Sequence, residues 1–515
     1  MQMTAENAKE KKKSKSSSSL FWASACFTAI FSIWGVVNPE SLTNTLYSWT
    51  SRFNNDFNWF VILMPLLILG LCVYLAFGRF GNVKLGGKDT TPGFSTFSWM
   101  AMLFTAGIGV GLVNFGVAEP LTHFMQSPLG LAGGYSEAEA AQNALKLTLF
   151  NWGLPAWAIY TIAGLVVGYF TYTRGAKFLP GTPIEQGFKD KKWSKSVAYA
   201  ANLMGASAAA LTMAASVGLG VFQVKNGLSS VFGMELEGTT SLLIILAVLF
   251  VVYTLAAVLP VQKGMKFLGD VNIVIAIAIL LFVFFAGRTD YYMGTILTTL
   301  KSTFTDIVPI SFENFALLDK QWFNDWPITT LMWWVSWTPF IGIFIARISK
   351  GRTIKQIVTA SILVPTVFLV IWFSVFGGHG LLDAIAGNAE IANYMLANPD
   401  DVYLSFIMVL EQFPLFTVTG TLFVILIVVF LSTSATSSVI SLSMITSDGA
   451  EDAPQYRTII WSIIIVLIAS ANLIAGSFSG VKAVAIVLSI PYLFIFILSM
   501  SGFVRQLRKD HGGNK

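Results

Sequence analysis

Residues 104–116 read Phe-Thr-Ala-Gly-Ile-Gly-Val-Gly-Leu-Val-Asn-Phe-Gly, with no charge and with glycines at alternate positions 107, 109 and 111. The stretch lies inside an apolar run near 97–118, long enough to cross a bilayer as a helix. Three alternate glycines disfavour a regular helix more than packing alone requires. Two readings stay open. Gly107 and Gly111 form a small-xxx-small pair that lets a neighbouring helix approach closely. Alternatively the helix breaks here and offers backbone groups to a ligand at mid-membrane. A dinucleotide fingerprint would need another spacing and a preceding strand.

Outward from that run the whole chain has the same character. Of 515 residues, 55% are hydrophobic and 11% charged, and the mean hydropathy is +0.69. Soluble domains carry about 25% charged residues, so a soluble enzyme, a disulfide scaffold and a disordered chain are all excluded. The fold class is an all-α polytopic membrane protein. About twelve spans are expected, near 20–37, 58–78, 97–118, 147–171, 196–222, 240–260, 271–287, 327–346, 357–377, 415–440, 458–476 and 482–503. The first run has no small-residue cleavage site after it, so a removed signal peptide is not expected. The net charge of +5 does not point to nucleic acid, because the cations cluster in the tail (Lys9, Lys11, Lys12, Lys13, Lys15) and in short loops. With an inside N-terminus, roughly 25 of the 32 Lys and Arg fall on the inner side. Both termini are therefore expected in the cytoplasm. Cys26 and Cys72 lie in apolar runs and form no disulfide framework.

The acidic residues fall in loops or at span edges, Glu119 and Asp270 coming nearest to the membrane. Buried ionisable groups commonly mark proton relays, so a proton pump is disfavoured. His123 and His379 flank spans and read as loop residues rather than ligands, and His511 is in the tail. No group has metal-ligand spacing and no nucleophile has a base partner. No catalytic site and no cofactor are expected.

Tryptophans are the informative residues. Trp152, Trp157 and Tyr160 surround Pro155 in the fourth span, and Trp333, Trp334 and Trp337 precede Pro339 in the eighth. Interfacial anchoring is the ordinary role of such rings, but these lie deep in their runs. Two clusters with no carboxylate nearby suggest a site for a soft organic cation. A quaternary ammonium has no N–H to donate and is held by ring faces, each desolvated contact contributing about 2 kcal/mol. Three rings would give about 6 kcal/mol, between the roughly 4 and 8 kcal/mol of millimolar and micromolar binding. The carboxylate of a zwitterion could meet backbone N–H groups at the broken third helix. In the tenth span, Phe430-Leu-Ser-Thr-Ser-Ala-Thr-Ser-Ser438 is rich in hydroxyls. These either bond neighbouring backbone or, with carbonyls from an unwound segment, suit Na⁺.

At this point the chain resembles the betaine/choline/carnitine transporter family over nearly all twelve spans. The most specific pieces are Gly107–Pro120 (GIGVGLVNFGVAEP), Trp152–Tyr160 and Trp333–Thr353 (WWVSWTPFIGIFIARISKGRT), above all the run Ala346–Arg352. The resemblance implies a basic cytoplasmic tail (1–19) and two leading helices (20–78). Two inverted five-helix repeats (97–287 and 327–503) would follow, separated by an outer loop (288–326), with a short cytoplasmic tail (504–515). It also implies a homotrimer in the plasma membrane and an alternating-access cycle. The family's aromatic box for the trimethylammonium group falls on Trp152, Trp157, Tyr160 and Trp334, with Trp337 helping to close the site. Gly107, Gly109 and Gly111 would face the substrate. A sodium site would draw on carbonyls near Thr105 and Ile108 with Phe430, Thr433 and Ser434; Phe340 matches a position near a second one.

The resemblance implies a sodium-coupled importer of a betaine-like osmoprotectant. Carnitine exchangers carry Arg where this chain has Asn272, and choline-type members carry Asp where it has Gly111. Departures are also visible. Pro327, Thr330 and Leu331 break the usual start of the eighth span, Asn114 stands for an aromatic, and Asn151 and Pro155 stand for histidines. Ala209 and Met213 occupy positions of second-site threonines, which puts a second Na⁺ in doubt. The alternative is a choline- or carnitine-type carrier, proton-coupled or exchanging. A channel would need a polar lumen and an enzyme buried His, Asp or Glu, neither of which the sequence displays.

Overall fold

The computed structural model describes residues 2–108, 111–261, 263–313, 320–398, 402–475 and 479–511. Among them, eleven helices are long and apolar enough to cross a membrane, or twelve when the bent third pair counts as one span. No strand occurs among the described residues, only a single bridge between Lys84 and Thr353. The apolar runs thus become helices, as they must where lipid supplies no hydrogen bonds. Large side chains such as Leu67, Phe267, Phe285 and Leu467 point outward, as a bilayer solvent allows.

Several segments are more helical than their hydropathy suggests. The basic tail is helical from Gln2 and runs without interruption into the first span at Val37. The second span begins at Pro39, its first turn capped by Asn38 Oδ1 accepting from the Ser41 N–H at 3.0 Å. The segment 288–326, expected as an outer loop, contains the helix Thr289–Thr305, which buries Tyr292, Thr299 and Thr303 and exposes Met293, Leu297 and Phe304.

The third span is two helices, Thr96–Ile108 and Gly111–Gln126, bent by 61°. Gly109 lies outside the described residues. The fourth span is also divided, into Glu137–Trp152 and Leu154–Gly168. Its first half opens with Glu139 accepting from the Ser136 N–H and hydroxyl. At the break Gly153 is irreplaceable sterically, because a Cβ there would stand 2.5 Å from the Leu149 carbonyl oxygen. Pro155 follows in the first turn of the second half, where no N–H is needed.

The fourth and eighth spans pack closely against each other. A Cβ on Gly164 would collide with Ile345, and one on Gly342 would stand 3.0 Å from Ala163 Cβ. Small residues permit this approach, which drives association where no hydrophobic effect separates helix from lipid. The eighth span, Thr329–Ile348, contains Pro339. Proline leaves the carbonyl four residues earlier without its helical donor, and the Thr338 hydroxyl donates to that Val335 oxygen at 2.6 Å.

The run Ala346–Arg352 works as a clasp. Arg352 stacks over Trp99 at 4.6 Å and donates to the Phe94 carbonyl, while Ser349 accepts from Trp99 Nε1 at 3.0 Å. Gly351, at φ +78°, donates to the Leu85 carbonyl and sits against Thr91. Replacing Gly342 by Leu should force the fourth and eighth spans apart, at a cost of about 1–3 kcal/mol of overpacking. Thermal unfolding of the purified protein measures it, and a midpoint equal to wild type would show that the pair tolerates separation.

Candidate functional site

The bend in the third span points one face of its second half into a cavity of about 260 Å³. Gly111, Asn114, Phe115 and Glu119 line it, at the i, i+3, i+4 and i+8 positions that share a helix face. Ile108 adds the end of the first half; Trp152 comes from the fourth-span break, and Ser216 and Leu219 from the fifth. The eighth span supplies Trp333, Trp334 and Trp337. Asp325, Trp326, Thr329, Thr330 and Tyr403 continue the lining.

The cavity extends away from the termini. Asp325 and its neighbour Gln321 lie near Tyr47, in the N-terminal part of the second-span helix Pro39–Phe77. At the end carrying both termini, polar contacts bridge the helices. Lys177 pairs with Asp448 at 2.7 Å, Arg347 with Asp452 at 3.3 Å and Arg174 with Asp510 at 3.1 Å.

Rings dominate the walls. Trp152 and Trp334 meet edge to face at 5.1 Å and 82°. Trp334 in turn meets Tyr160 at 5.6 Å and 89°, and Tyr160 meets Trp157 at 5.9 Å. Trp334 Nε1 donates to the Asn151 carbonyl at 2.7 Å, a bond that ties the eighth span to the fourth just before its break. The sequence-expected residues therefore separate into two layers. Trp152, Trp334, Trp337, Gly111 and Ile108 line the cavity. Trp157, Tyr160 and Gly107 pack one ring deeper, with a Cβ on Gly107 only 2.9 Å from Trp157. The glycines thus serve both open readings, since the helix does break and Gly111 admits Trp152, whose Cη2 would be 2.5 Å from a Cβ.

The expectation that no carboxylate approaches the tryptophans is wrong. Glu119 is buried, and its carboxylate accepts from Trp152 Nε1 at 2.6 Å and Asn151 Nδ2 at 2.8 Å, with His123 Nε2 at 3.3 Å. The apolar run stops at residue 118, but the helix continues to Gln126 and carries Glu119 and His123 inward. His123 and His379 are correspondingly not loop residues. Both are buried on helices, and His379 lies between Tyr292 Oη at 2.7 Å and Gln412 Oε1 at 2.8 Å. The signal available beforehand was spacing: Glu119 and His123 are four apart and share a face with Phe115.

The sodium candidates lie deeper. Thr105 and Ile108 lie at the end of Thr96–Ile108 that adjoins the bend. Phe430, Thr433 and Ser434 are buried in Phe416–Thr446, which runs as a continuous helix. Phe104 contacts Phe430 at 6.3 Å, joining the two helices. Thr105 and Thr433 hydroxyls donate to their own backbones at 2.8 and 2.6 Å, which leaves their oxygens' lone pairs free. Ser434 Oγ is buried without a partner, and so are both amide atoms of Asn272. No cluster of three His, Cys, Asp or Glu suited to a metal occurs among the described residues.

A broken-helix bundle enclosing a ring-lined cavity, open toward one end and bridged at the other, defines a multi-pass membrane transporter. Residues 19–512 match the profile described as "BCCT, betaine/carnitine/choline family transporter". The chain is 34% identical over 497 residues to a glycine betaine transporter of Bacillus subtilis (strain 168), covering 96% of this chain and 95% of that one. It is 31% identical to a probable glycine betaine transporter of Desulfitobacterium hafniense (strain Y51), covering 96% and 99%. It is also 31% identical to a high-affinity choline transport protein of Escherichia coli (strain K12), covering 97% and 73%. The chain belongs to the betaine/carnitine/choline transporter family, whose members are transporters and not enzymes.

Gly111→Val should push the Trp152 indole off the Glu119 carboxylate. The emission of the buried tryptophans should shift, and the unfolding midpoint should fall by the equivalent of about 1–3 kcal/mol. An unchanged spectrum and midpoint would show that nothing holds Trp152 where it is.

Proposed function

We propose that this chain imports a betaine-like quaternary ammonium solute together with Na⁺, by alternating access across the plasma membrane. The observation that carries the reading is the perpendicular Trp152–Trp334 pair on the cavity wall, backed by Tyr160 and Trp157. Ring faces hold a trimethylammonium group, which has no N–H to donate to the protein. Relatives named for glycine betaine and for choline support the solute class. The N-terminal end of Gly111–Gln126 at the cavity supports a zwitterion, because the positive end of a helix dipole favours a carboxylate.

Sodium coupling is supported by the hydroxyl oxygens of Thr433 and Ser434 together with the terminal carbonyls near Thr105 and Ile108. One Na⁺ moving down about 100 mV and a tenfold gradient releases roughly 3.7 kcal/mol, enough for several-hundred-fold accumulation. In the same reading the spans after the first two form two inverted repeats, the termini face the cytoplasm and the protein is a homotrimer. The polar bridges at the termini end then close the inner side. The second reading is a choline-type, proton-coupled carrier. Buried Glu119 favours it, since an ionisable group within a membrane protein is a natural proton site.

The deciding experiment is uptake of radiolabelled glycine betaine into proteoliposomes with and without an inward Na⁺ gradient. Accumulation should require the gradient. Uptake indifferent to Na⁺ but driven by a proton or counter-substrate gradient would transfer the chain to the second reading and remove Thr433 and Ser434 from the ion site. Trp334→Leu should raise the apparent KM about tenfold or more, the equivalent of one desolvated ring contact. An unchanged KM would take Trp334 out of the cage.

A further inference from the structure

The buried carboxylate at the cavity is out of place in a cage of neutral rings. Glu119 is 2% exposed and lines the cavity beside Trp152. Two neutral donors, Trp152 Nε1 and Asn151 Nδ2, hold it at 2.6 and 2.8 Å. The charged partner at ion-pair distance among the described residues is restricted to His123, at 3.3 Å. That imidazole is fully buried and its Nδ1 has no partner. A proton there would be a buried, unbonded donor, so the geometry suits a single ring proton on Nε2, donated to Glu119. The lining contains two carboxylates, Glu119 and the exposed Asp325, and no Lys, Arg or His. Hydrogen bonds satisfy the Glu119 oxygens without cancelling their charge, and a buried charge without a counter-charge is costly.

We propose that Glu119 is the counter-ion of the cage, its carboxylate balanced by the trimethylammonium group of the bound solute. The proposal rests on the ring-lined cavity being the solute site. Glu119 acts in two ways. Its charge attracts the cation across a low-dielectric gap, and its bond to Trp152 Nε1 raises the electron density of the ring face that the cation meets. The same charge sets orientation. A carboxylate or hydroxyl tail is directed away from Glu119, and the lining residue Trp337, whose Nε1 has no partner, adds a donor to those at the start of Gly111–Gln126. Solute selection is therefore for the positive charge as well as for the size of the headgroup.

The test compares wild type, E119Q and E119D in proteoliposomes, with glycine betaine and choline as separate substrates. E119Q keeps the shape and removes the charge; KM for the carried substrate should rise about tenfold, with Vmax changing far less. E119D retains the charge and should recover most of that loss. A KM in E119Q within twofold of wild type overturns the proposal, and so does an E119D no better than E119Q. If E119Q is not recovered as folded protein, the wild type carries the test. Choline should inhibit uptake at least a hundredfold better than its uncharged carbon isostere, 3,3-dimethylbutan-1-ol, and comparable potency overturns the proposal. Wild-type uptake of the two substrates, with and without Na⁺, separately decides the transport reading, so the two failures are distinguishable.

Discussion

The constraint on which this architecture depends is that a backbone within lipid finds no water to bond. An interrupted helix is tolerated there only where protein surrounds the interruption. The chain breaks its third span between Ile108 and Gly111 and its fourth at Gly153, and the breaks adjoin. Trp152, the residue before the second break, lies against Gly111, the first residue after the first. The Asn151 carbonyl, near the end of its own half-helix, is taken up by Trp334 Nε1 from the eighth span. Each interruption is thereby covered by an indole. The cavity exists because two helices turn aside at the same place.

From that point a continuous series of ring contacts descends. Trp152 meets Trp334, Trp334 meets Tyr160, Tyr160 meets Trp157, and Trp157 stacks on Phe104 at 6.3 Å and 8°. Phe104 then reaches Phe430 on the tenth span. Close packing of this kind transmits displacement, since interiors have little room to absorb it. Movement of Trp152 onto a solute would be felt through four rings at the hydroxyl-rich segment. The glycines at 107 and 111 are what allow the first and last of the tryptophans in this series to lie so close to the third span.

The sequence disclosed the helices readily, because span length in lipid follows from run length and needs no tertiary information. It disclosed the tryptophans of the fourth and eighth spans for a similar reason, since deep indoles are conspicuous in an aliphatic run. Glu119 was hidden by the same method. Hydropathy ends the third span at the first carboxylate, whereas the helix ends at Gln126, and only the 61° bend brings that extension back against Trp152. Run length reports how much chain is apolar, and it is blind to a polar turn buried by protein instead of lipid. The outer segment escaped for a related reason, because Thr289–Thr305 alternates exposed apolar and buried polar residues and resembles a loop in a sliding average. The depth of Trp157 and Tyr160 behind the cavity wall is a matter of helix rotation, which spacing along one helix cannot specify.

One break also generates two chemically opposite ends. At the bend the carboxyl-terminal end of Thr96–Ile108 adjoins the amino-terminal end of Gly111–Gln126. The first end carries partial negative charge and the second partial positive charge. Under the proposed reading, Na⁺ would be attracted to the carbonyl end beside Thr433 and Ser434, and the solute's carboxylate to the amide end. Both attractions act on the same two residues of separation, so occupancy of one end bears on the geometry of the other. A regular helix would present neither end, and two separate helices would present them without this connection. Glu119 completes the arrangement two turns further along, placing a full negative charge beside Trp152. Under the proposed reading the solute's cationic head would meet a fixed counter-charge there, and its tail would be steered elsewhere. Coupling of ion and solute, in that reading, would require no long-range pathway, only that the half-helices on either side of the break move as a pair.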